Sequence, residues 1–432
     1  MERFWWKNKN NIYLDNWAST LALYDVKKSV DSFLLNYWSV HRWSWYNSEI
    51  STKLYEQSRN QILKYLDGNK KDDAVIFTAN TTDWINKFVL MSNYKKVLIS
   101  DIEHSSNRLP REKACEVVEL KTNNFMIDLS ELEKKLKSDS DIDIVALTAA
   151  SNITWYVSDI KWIYEICKKY NVIFFLDASQ YAPHFKPSLK DCDVIVYCWH
   201  KMYAPYWAGV LAWKKYLFEN DNHALTWGWN VLYAWNEWVV YKNIPYMHES
   251  WTPNWIWCVA MCKAHDILYK KIGEKKLREH NQALVDAIDS CCEKLEHAWY
   301  KVYFWRKIKW VERTPILVLS NTKYSNKKTV ELLNMEIGKY KKNIFCREWA
   351  FCAYKLIEQL IPCSDEKIMR DGKPINVKNL KILWKNRYVS EENDYLSNKF
   401  SLIRFSAWLI NTPNDIIYLT NKLIEINLQT KK

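Results

Sequence analysis

The chain reads as an α/β protein built on a mostly parallel sheet in a large domain, joined to a smaller α+β domain. Three observations predict this. Short β-branched runs, apolar on both faces, alternate with helix-period stretches from about residue 74 to 213, the pattern of strands buried beneath flanking helices. The 432 residues exceed the usual size of a single core, so two domains are expected. A hydrophobic fraction of 48% with 26% charged residues suits a globular chain.

In order, residues 1–20 are expected to form an N-terminal segment packing with the small domain, and 21–263 the large domain. Within it Val75–Phe77, Val97–Ser100, Ile144–Thr148, Val172–Asp177, Val194–Tyr197 and Val210–Ala212 read as buried parallel strands. Leu129–Lys137 and Asp159–Tyr170 read as amphipathic helices between them. Ligands of such sheets sit at the carboxyl ends of strands, so the residues just after each run are the ones to inspect. A long charged helix begins at about residue 264 and opens the small domain, 264–432. The polar, poorly periodic stretch Ser364–Lys399 reads as an insertion. There is no internal repeat.

Bulk properties narrow the function. No run approaches the ~20 apolar residues that cross a membrane, and Met1–Phe4 lacks the apolar stretch of a signal peptide, so a cytoplasmic location is expected. The net charge of +12 is spread over faces such as Glu131–Lys137 and Lys270–Glu279, where acids are interleaved; solvated faces, not a nucleic-acid surface, are the expectation. Eleven cysteines make no disulfide framework in such a chain. Cys258 and Cys262 have helix-like spacing and no second ligand pair, so no metal site is expected.

Tryptophan usage is inverted. The chain has 25 Trp and six Gly, where a globular protein of this length carries about 7% glycine. Several Trp stand where a turn needs the smallest side chain: Asn16-Trp17-Ala18-Ser19-Thr20, Pro205-Tyr206-Trp207-Ala208-Gly209 and Leu225-Thr226-Trp227-Gly228-Trp229-Asn230. Glycine alone reaches positive φ cheaply and lets backbone approach a phosphate. The expectation is that an opal codon means glycine in this gene and that tryptophan is its literal translation. The alternative is a Trp-rich carbohydrate- or membrane-interface protein.

The chemistry lies at two strand ends. Val172–Leu176 runs into Asp177-Ala178-Ser179-Gln180, and Val194–Tyr197 into Cys198-Trp199-His200-Lys201. Adjacent parallel strands would bring a carboxylate and an amine to one crevice. Either alone is usually a solvated strand cap. With Gln180, His200 and His104 beside them, they match the protein's share of pyridoxal-phosphate chemistry, an acid at the pyridine nitrogen and a lysine that binds as an imine.

The chain resembles the class V aminotransferases of fold type I, in the cysteine desulfurase and selenocysteine lyase branch. The segments that carry the likeness run from Tyr13-Leu14-Asp15-Asn16 to Arg404–Asn411. Between these lie Ser39–Trp43, Asn80–Asn86, Ala150–Trp155, the lysine motif, Ser250–Asn254 and Arg347–Ala353. The resemblance implies a homodimeric transferase that uses pyridoxal 5′-phosphate, and glycine at Trp17, Trp43, Trp84, Trp155, Trp199, Trp207, Trp251 and Trp349. It makes Lys201 the Schiff-base lysine and proton shuttle, Asp177 the partner of the pyridine nitrogen, and His104 the imidazole stacked on the ring. Gln180 would bond the phenolic oxygen, with Asn152 at the same edge beside substrate. Thr81, Thr82, Cys198 and His200 match phosphate-cup positions, although serine is usual in place of Cys198. Thr252 matches a residue reaching the partner subunit's phosphate, and Arg404 the arginine that clamps the substrate carboxylate. In the desulfurase branch a cysteine at 352 takes sulfur from L-cysteine as a persulfide, for passage to an acceptor protein; the bland alternative is a thiol kept for packing. The gap from Cys352 to Arg404 exceeds the usual desulfurase spacing and places the intervening segment at the active-site mouth or an acceptor dock. Aminotransferase, lyase or epimerase chemistry on another amino acid stays open, as does a catalytically silent scaffold. Nothing distinguishes cysteine from selenocysteine.

Overall fold

Seven strands make the main sheet of the computed structural model. It describes residues 10–41, 46–205, 208–218, 230–236, 238–249, 255–304, 311–361, 368–370, 373–375 and 401–429. The chain opens with β1 (Asn11–Tyr13), α1 (Tyr24–Leu34) and α2 (Tyr46–Tyr65). The sheet is then built by β2 (Asp73–Thr78), α3 (Thr81–Met91), β3 (Lys96–Ser100), α4 (Ser105–Ala114) and β4 (Glu116–Leu120). It continues with α5 (Leu129–Ser138), β5 (Ile144–Thr148), α6 (Ile160–Lys169), β6 (Ile173–Asp177), β7 (Val194–Cys198) and β8 (Gly209–Lys214). Strand order is β2-β8-β7-β6-β5-β3-β4. The central runs Ile144–Thr148 and Val194–Cys198 are buried throughout, as strands covered on both faces must be.

All six expected strands form, and β4 is an addition. Glu116 and Glu119 interrupt its apolar run and it lies at the sheet edge, half in solvent, so the sequence carries no continuous apolar signal there. β8 differs in direction. It pairs antiparallel with both β7 and β2, because the stretch of chain between β7 and β8 is too short for a crossover helix.

Local chemistry sets the helix ends. The Asn80 side chain accepts the Asp83 amide at the start of α3, and Asp128 accepts the Ser130 and Glu131 amides before α5, each cap contributing roughly 1 kcal/mol. In α6, Ile160, Ile163 and Cys167 share the buried face, the spacing of an amphipathic helix.

Beyond the sheet come β9 (Val231–Trp235), β10 (Trp238–Tyr241) and α7 (Trp255–His265). The long charged helix expected from about 264 is divided. A π-helical turn, Asp266–Ile272, follows α7, and Gly273 at φ +87° resets the chain before α8 (Glu274–His297). Then follow β11 (Tyr300–Tyr303), β12 (Ile316–Asn321), α9 (Asn326–Leu333), β13 (Asn343–Phe345), β14 (Arg347–Trp349) and α10 (Tyr354–Leu360). The remainder is a short antiparallel pair, β15 (Ile368–Arg370) with β16 (Lys373–Ile375), then β17 (Leu402–Ser406) and α11 (Pro413–Gln429). Apart from β15 and β16, the expected insertion Ser364–Lys399 lies outside the described residues.

An antiparallel sheet of order β11-β12-β17-β14 carries the second layer, with α8 and α11 packed together beside it. β1 pairs in parallel with β13, and Asp15 bridges to Ser406. The opening residues are thereby tied to strands more than 300 positions away, and Asp15 is delivered to the main sheet's carboxyl end. No helix among the described residues is long and apolar enough to cross a membrane.

Candidate active site

β6 and β7 run side by side in parallel, with Asp177 opposite Val196. Their carboxyl ends open on a cavity of about 430 Å³ lined by both Asp177 and Lys201. Asp177 is buried, and its Oδ1 accepts the Ser179 amide at 2.9 Å, which fixes the carboxylate in place. Lys201 sits in the turn that follows β7. That turn is closed by the Met202 amide donating to Trp199 O at 2.7 Å, and held by the Thr20 amide donating to His200 O at 2.8 Å. The N-terminal segment thus braces the lysine.

One wall is the N-terminus of α3. Asn80 caps it, accepting the Asp83 amide with its side chain and the Trp84 amide with its carbonyl, which leaves the Thr81 and Thr82 amides facing the cavity end. Free first-turn amides and the helix dipole attract an anion. β8 passes directly beneath. A β-carbon at Gly209 would lie 2.7 Å from Asn80 C and 3.0 Å from Thr81 N, so only glycine lets the strand and this helix start approach so closely. Thr82 Oγ1 lies 2.8 Å from Ser106 Oγ, and Cys198 Sγ lies 3.6 Å from His200 Nε2. Burial pushes the Cys198 thiol up, and pushes His200 down to about 4 with the Lys201 charge adding to the effect.

His104 caps α4 and faces the same space. Its Nδ1 accepts the Ser106 amide at 3.1 Å, which assigns the proton of the neutral ring to Nε2. Burial, then the Lys201 charge, lower its pKa to about 4. Its neighbour Glu103 is buried and accepts from Ser100 Oγ (2.5 Å), the Thr148 amide (3.0 Å) and Asn107 Nδ2 (2.8 Å). Burial raises Glu103 to about 7. It knits β3, α4 and β5 together under His104.

The opposite wall comes from the second sheet. Arg404, in β17, is buried and donates to Asn152 O at 3.0 Å and Asp15 Oδ1 at 3.3 Å. Its guanidinium lies 4.7 Å from the Phe351 ring centroid, and burial brings its pKa down to about 10. Arg347 Nε pairs with Asp15 Oδ2 at 3.2 Å. Asn152 donates to Phe351 O at 2.6 Å, while its Oδ1 is buried without a partner. Gln180 Nε2 donates to Trp17 O at 3.1 Å.

Cys352 stands at the mouth. Its carbonyl accepts from both the amide and the hydroxyl of Ser105, each at 2.7 Å, which pins the loop to the start of α4. Phe351 and Cys352 are both left-handed, at φ +52° and +55°. Phe351 turns inward and Cys352 outward, the one exposed thiol among the described cysteines. A thiol kept for packing would be buried, so the packing alternative does not describe this position.

The structure therefore gathers Lys201, Asp177, His104, Gln180, Asn152, Thr81, Thr82, Cys198, His200, Arg404 and Cys352 around one cavity. Thr252 lies outside the described residues. Two features escaped the sequence reading: the Asp15–Arg404–Arg347 cluster and the Glu103 brace. Asp15 and Arg347 fall inside segments already singled out, but nothing in their spacing signals that they meet.

Residues 12–334 match the family model Aminotransferase class-V. The chain is 29% identical over 299 residues to a probable cysteine desulfurase from Borreliella burgdorferi, covering 65% of this chain and 70% of that protein. It is 28% identical over 307 residues to a probable cysteine desulfurase from Pyrococcus abyssi, covering 67% and 74%. The apo cysteine desulfurase from Thermococcus onnurineus superimposes with a TM-score of 0.76 at 19% identity, over 96% of this chain and 94% of that one. The S-sulfonic acid form of Escherichia coli CsdA gives 0.75 at 19%, over 99% and 97%. At that identity the structural likeness speaks to fold.

Proposed function

This chain belongs to the class-V aminotransferase family, and on that premise we propose that it is a cysteine desulfurase dependent on pyridoxal 5′-phosphate. The observation that carries the reading is the meeting of Lys201, Asp177, His104 and Cys352 at one cavity, together with similarity to probable cysteine desulfurases.

The residues suit that cofactor. The α3 N-terminus with Thr81, Thr82, Cys198 and His200 offers amides, a dipole and side-chain donors to a phosphate. Asp177, buried and oriented, would keep a pyridine nitrogen protonated. Gln180 and the unpartnered Asn152 Oδ1 suit the polar edge of the ring. When bound, the cofactor supplies an electron sink for the substrate's Cα and Cβ.

The chain's own groups do the rest. Arg404 binds the substrate carboxylate, helped by Arg347. Lys201 holds the cofactor and moves the proton at Cα. His104, kept neutral by its surroundings, is placed to stack on the cofactor ring as an uncharged imidazole. The Cys352 sulfur attacks the substrate sulfur: the Cβ–S bond breaks, an S–S bond forms, and Cβ gains a proton. L-cysteine and the Cys352 thiol thereby give L-alanine and a Cys352 persulfide. Exposure of Cys352 lets a protein acceptor reach that persulfide.

A homodimer is part of the proposal. β9 and β10 leave Leu232, Tyr233, Val239 and Val240 exposed, an apolar face of the kind that marks a protein interface. The free thiols fit a reducing, cytoplasmic setting. Alanine and sulfide release from L-cysteine, compared between the parent and Cys352→Ser, tests the reading. The variant should keep the cofactor and lose at least 100-fold in sulfur release; full activity in the variant would overturn the thiol's role.

A further inference from the structure

We infer that the natural polypeptide carries glycine rather than tryptophan at positions 84, 155, 199, 213, 299 and 349. Two of the six are marked by the backbone. Trp349, at the end of β14, has φ +146°, a region closed to residues with a β-carbon and open to glycine. Trp299 has φ +66° and directly follows Ala298, the C-cap of α8. This is the position at which helices end in a left-handed glycine, and the Trp299 amide closes the turn onto Glu296 O at 3.2 Å.

The other four are marked by an unmet donor. An indole has one N–H and no acceptor, and a buried one keeps its N–H bonded. Trp408 obeys this, donating to Pro183 O at 3.0 Å. Trp84, Trp155, Trp199 and Trp213 are buried, and their Nε1 atoms have no acceptor. Trp213 and Trp299 lie outside the segments that carry the family resemblance, so structure alone adds them.

Position also matters. Trp84 is in the first turn of α3, Trp199 leads into His200 and Lys201, and Trp213 is in β8. These elements converge where Gly209 already demands a missing β-carbon. Glycine at 84 and 199 would let the anion-binding helix start and the lysine turn close up without an indole between the elements they pack against. One reassigned codon accounts for all six, and for six glycines in 432 residues.

The gene's codons and peptide masses from the native cell test this, and neither measurement depends on the enzyme's activity. All six codons should be TGA, and peptides spanning 198–201, 294–301 and 347–353 should carry glycine masses. A TGG codon, or a tryptophan mass, at any of the six overturns the assignment.

Discussion

Replacing Arg404 by alanine isolates the proposed carboxylate clamp. The guanidinium makes two bonds within the protein, Nη1 to Asn152 O and Nη2 to Asp15 Oδ1, and its buried Nε is without a protein partner. Of its five donor hydrogens, three are therefore left for a carboxylate. A bidentate grip uses two. Charge-assisted bonds contribute about 1.5–3 kcal/mol each, so the loss of two is roughly 3–6 kcal/mol. Arg347 moderates it, but its side chain is half exposed and solvent screens its contribution. At 1.36 kcal/mol per decade, kcat/KM for L-cysteine should fall by about 10²- to 10⁴-fold. A grip shared by ground and transition states raises KM more than it lowers kcat. Steady-state kinetics at saturating cofactor, with the bound cofactor measured by absorbance, are the assay. A variant that retains the cofactor and keeps kcat/KM within threefold of the parent would refute the clamp.

Other consequences follow from the same geometry. Gly209→Ala should weaken pyridoxal 5′-phosphate binding at least tenfold in a titration, because its β-carbon would press on the backbone of Asn80 and Thr81; unchanged affinity would remove the phosphate from the α3 N-terminus. The cofactor-free protein should lose stability in mild acid. His104 and His200 are held down at about 4, and His184 and His265 at about 3, each chiefly by burial. The unfolded chain takes up these protons below about pH 6.5 while the folded chain does not, so their contribution is complete above that pH and is lost as pH falls toward 4. Glu103, raised to about 7, acts in the opposite sense over the same window and offsets one of the four. A net of three protons gives at most about 4 kcal/mol per pH unit. Urea midpoints at pH 7 and 5.5 measure it, and an equal or higher midpoint at pH 5.5 contradicts the burial of these rings.

What was legible in the sequence was whatever a single strand or turn encodes. Val194–Tyr197 and Ile144–Thr148 are uninterrupted apolar runs, so their burial and their polar ends could be read directly, and with them Asp177 and Lys201. The direction of β8 could not, since antiparallel and parallel strands of this composition look alike; only the length of chain between β7 and β8 decides it. β4 was missed because an edge strand needs no apolar alternation. The clamp was half visible. Arg404 could be matched through Ile403-Arg404-Phe405-Ser406, but its tie to Asp15 spans 389 positions and depends on β1 pairing with β13. Exposure of Cys352 was equally hidden: Phe351-Cys352-Ala353 looks apolar, and it is two successive left-handed residues that turn one side chain inward and the next outward.

Lys201 is the residue proposed to hold the cofactor, and every other role at the site depends on it. The purified protein, incubated with pyridoxal 5′-phosphate, reduced with borohydride and digested, should yield one pyridoxyl-bearing peptide, modified at Lys201, with loss of the visible absorption band. A protein that takes up no cofactor, or one labelled at another lysine while Lys201 stays free, contradicts it.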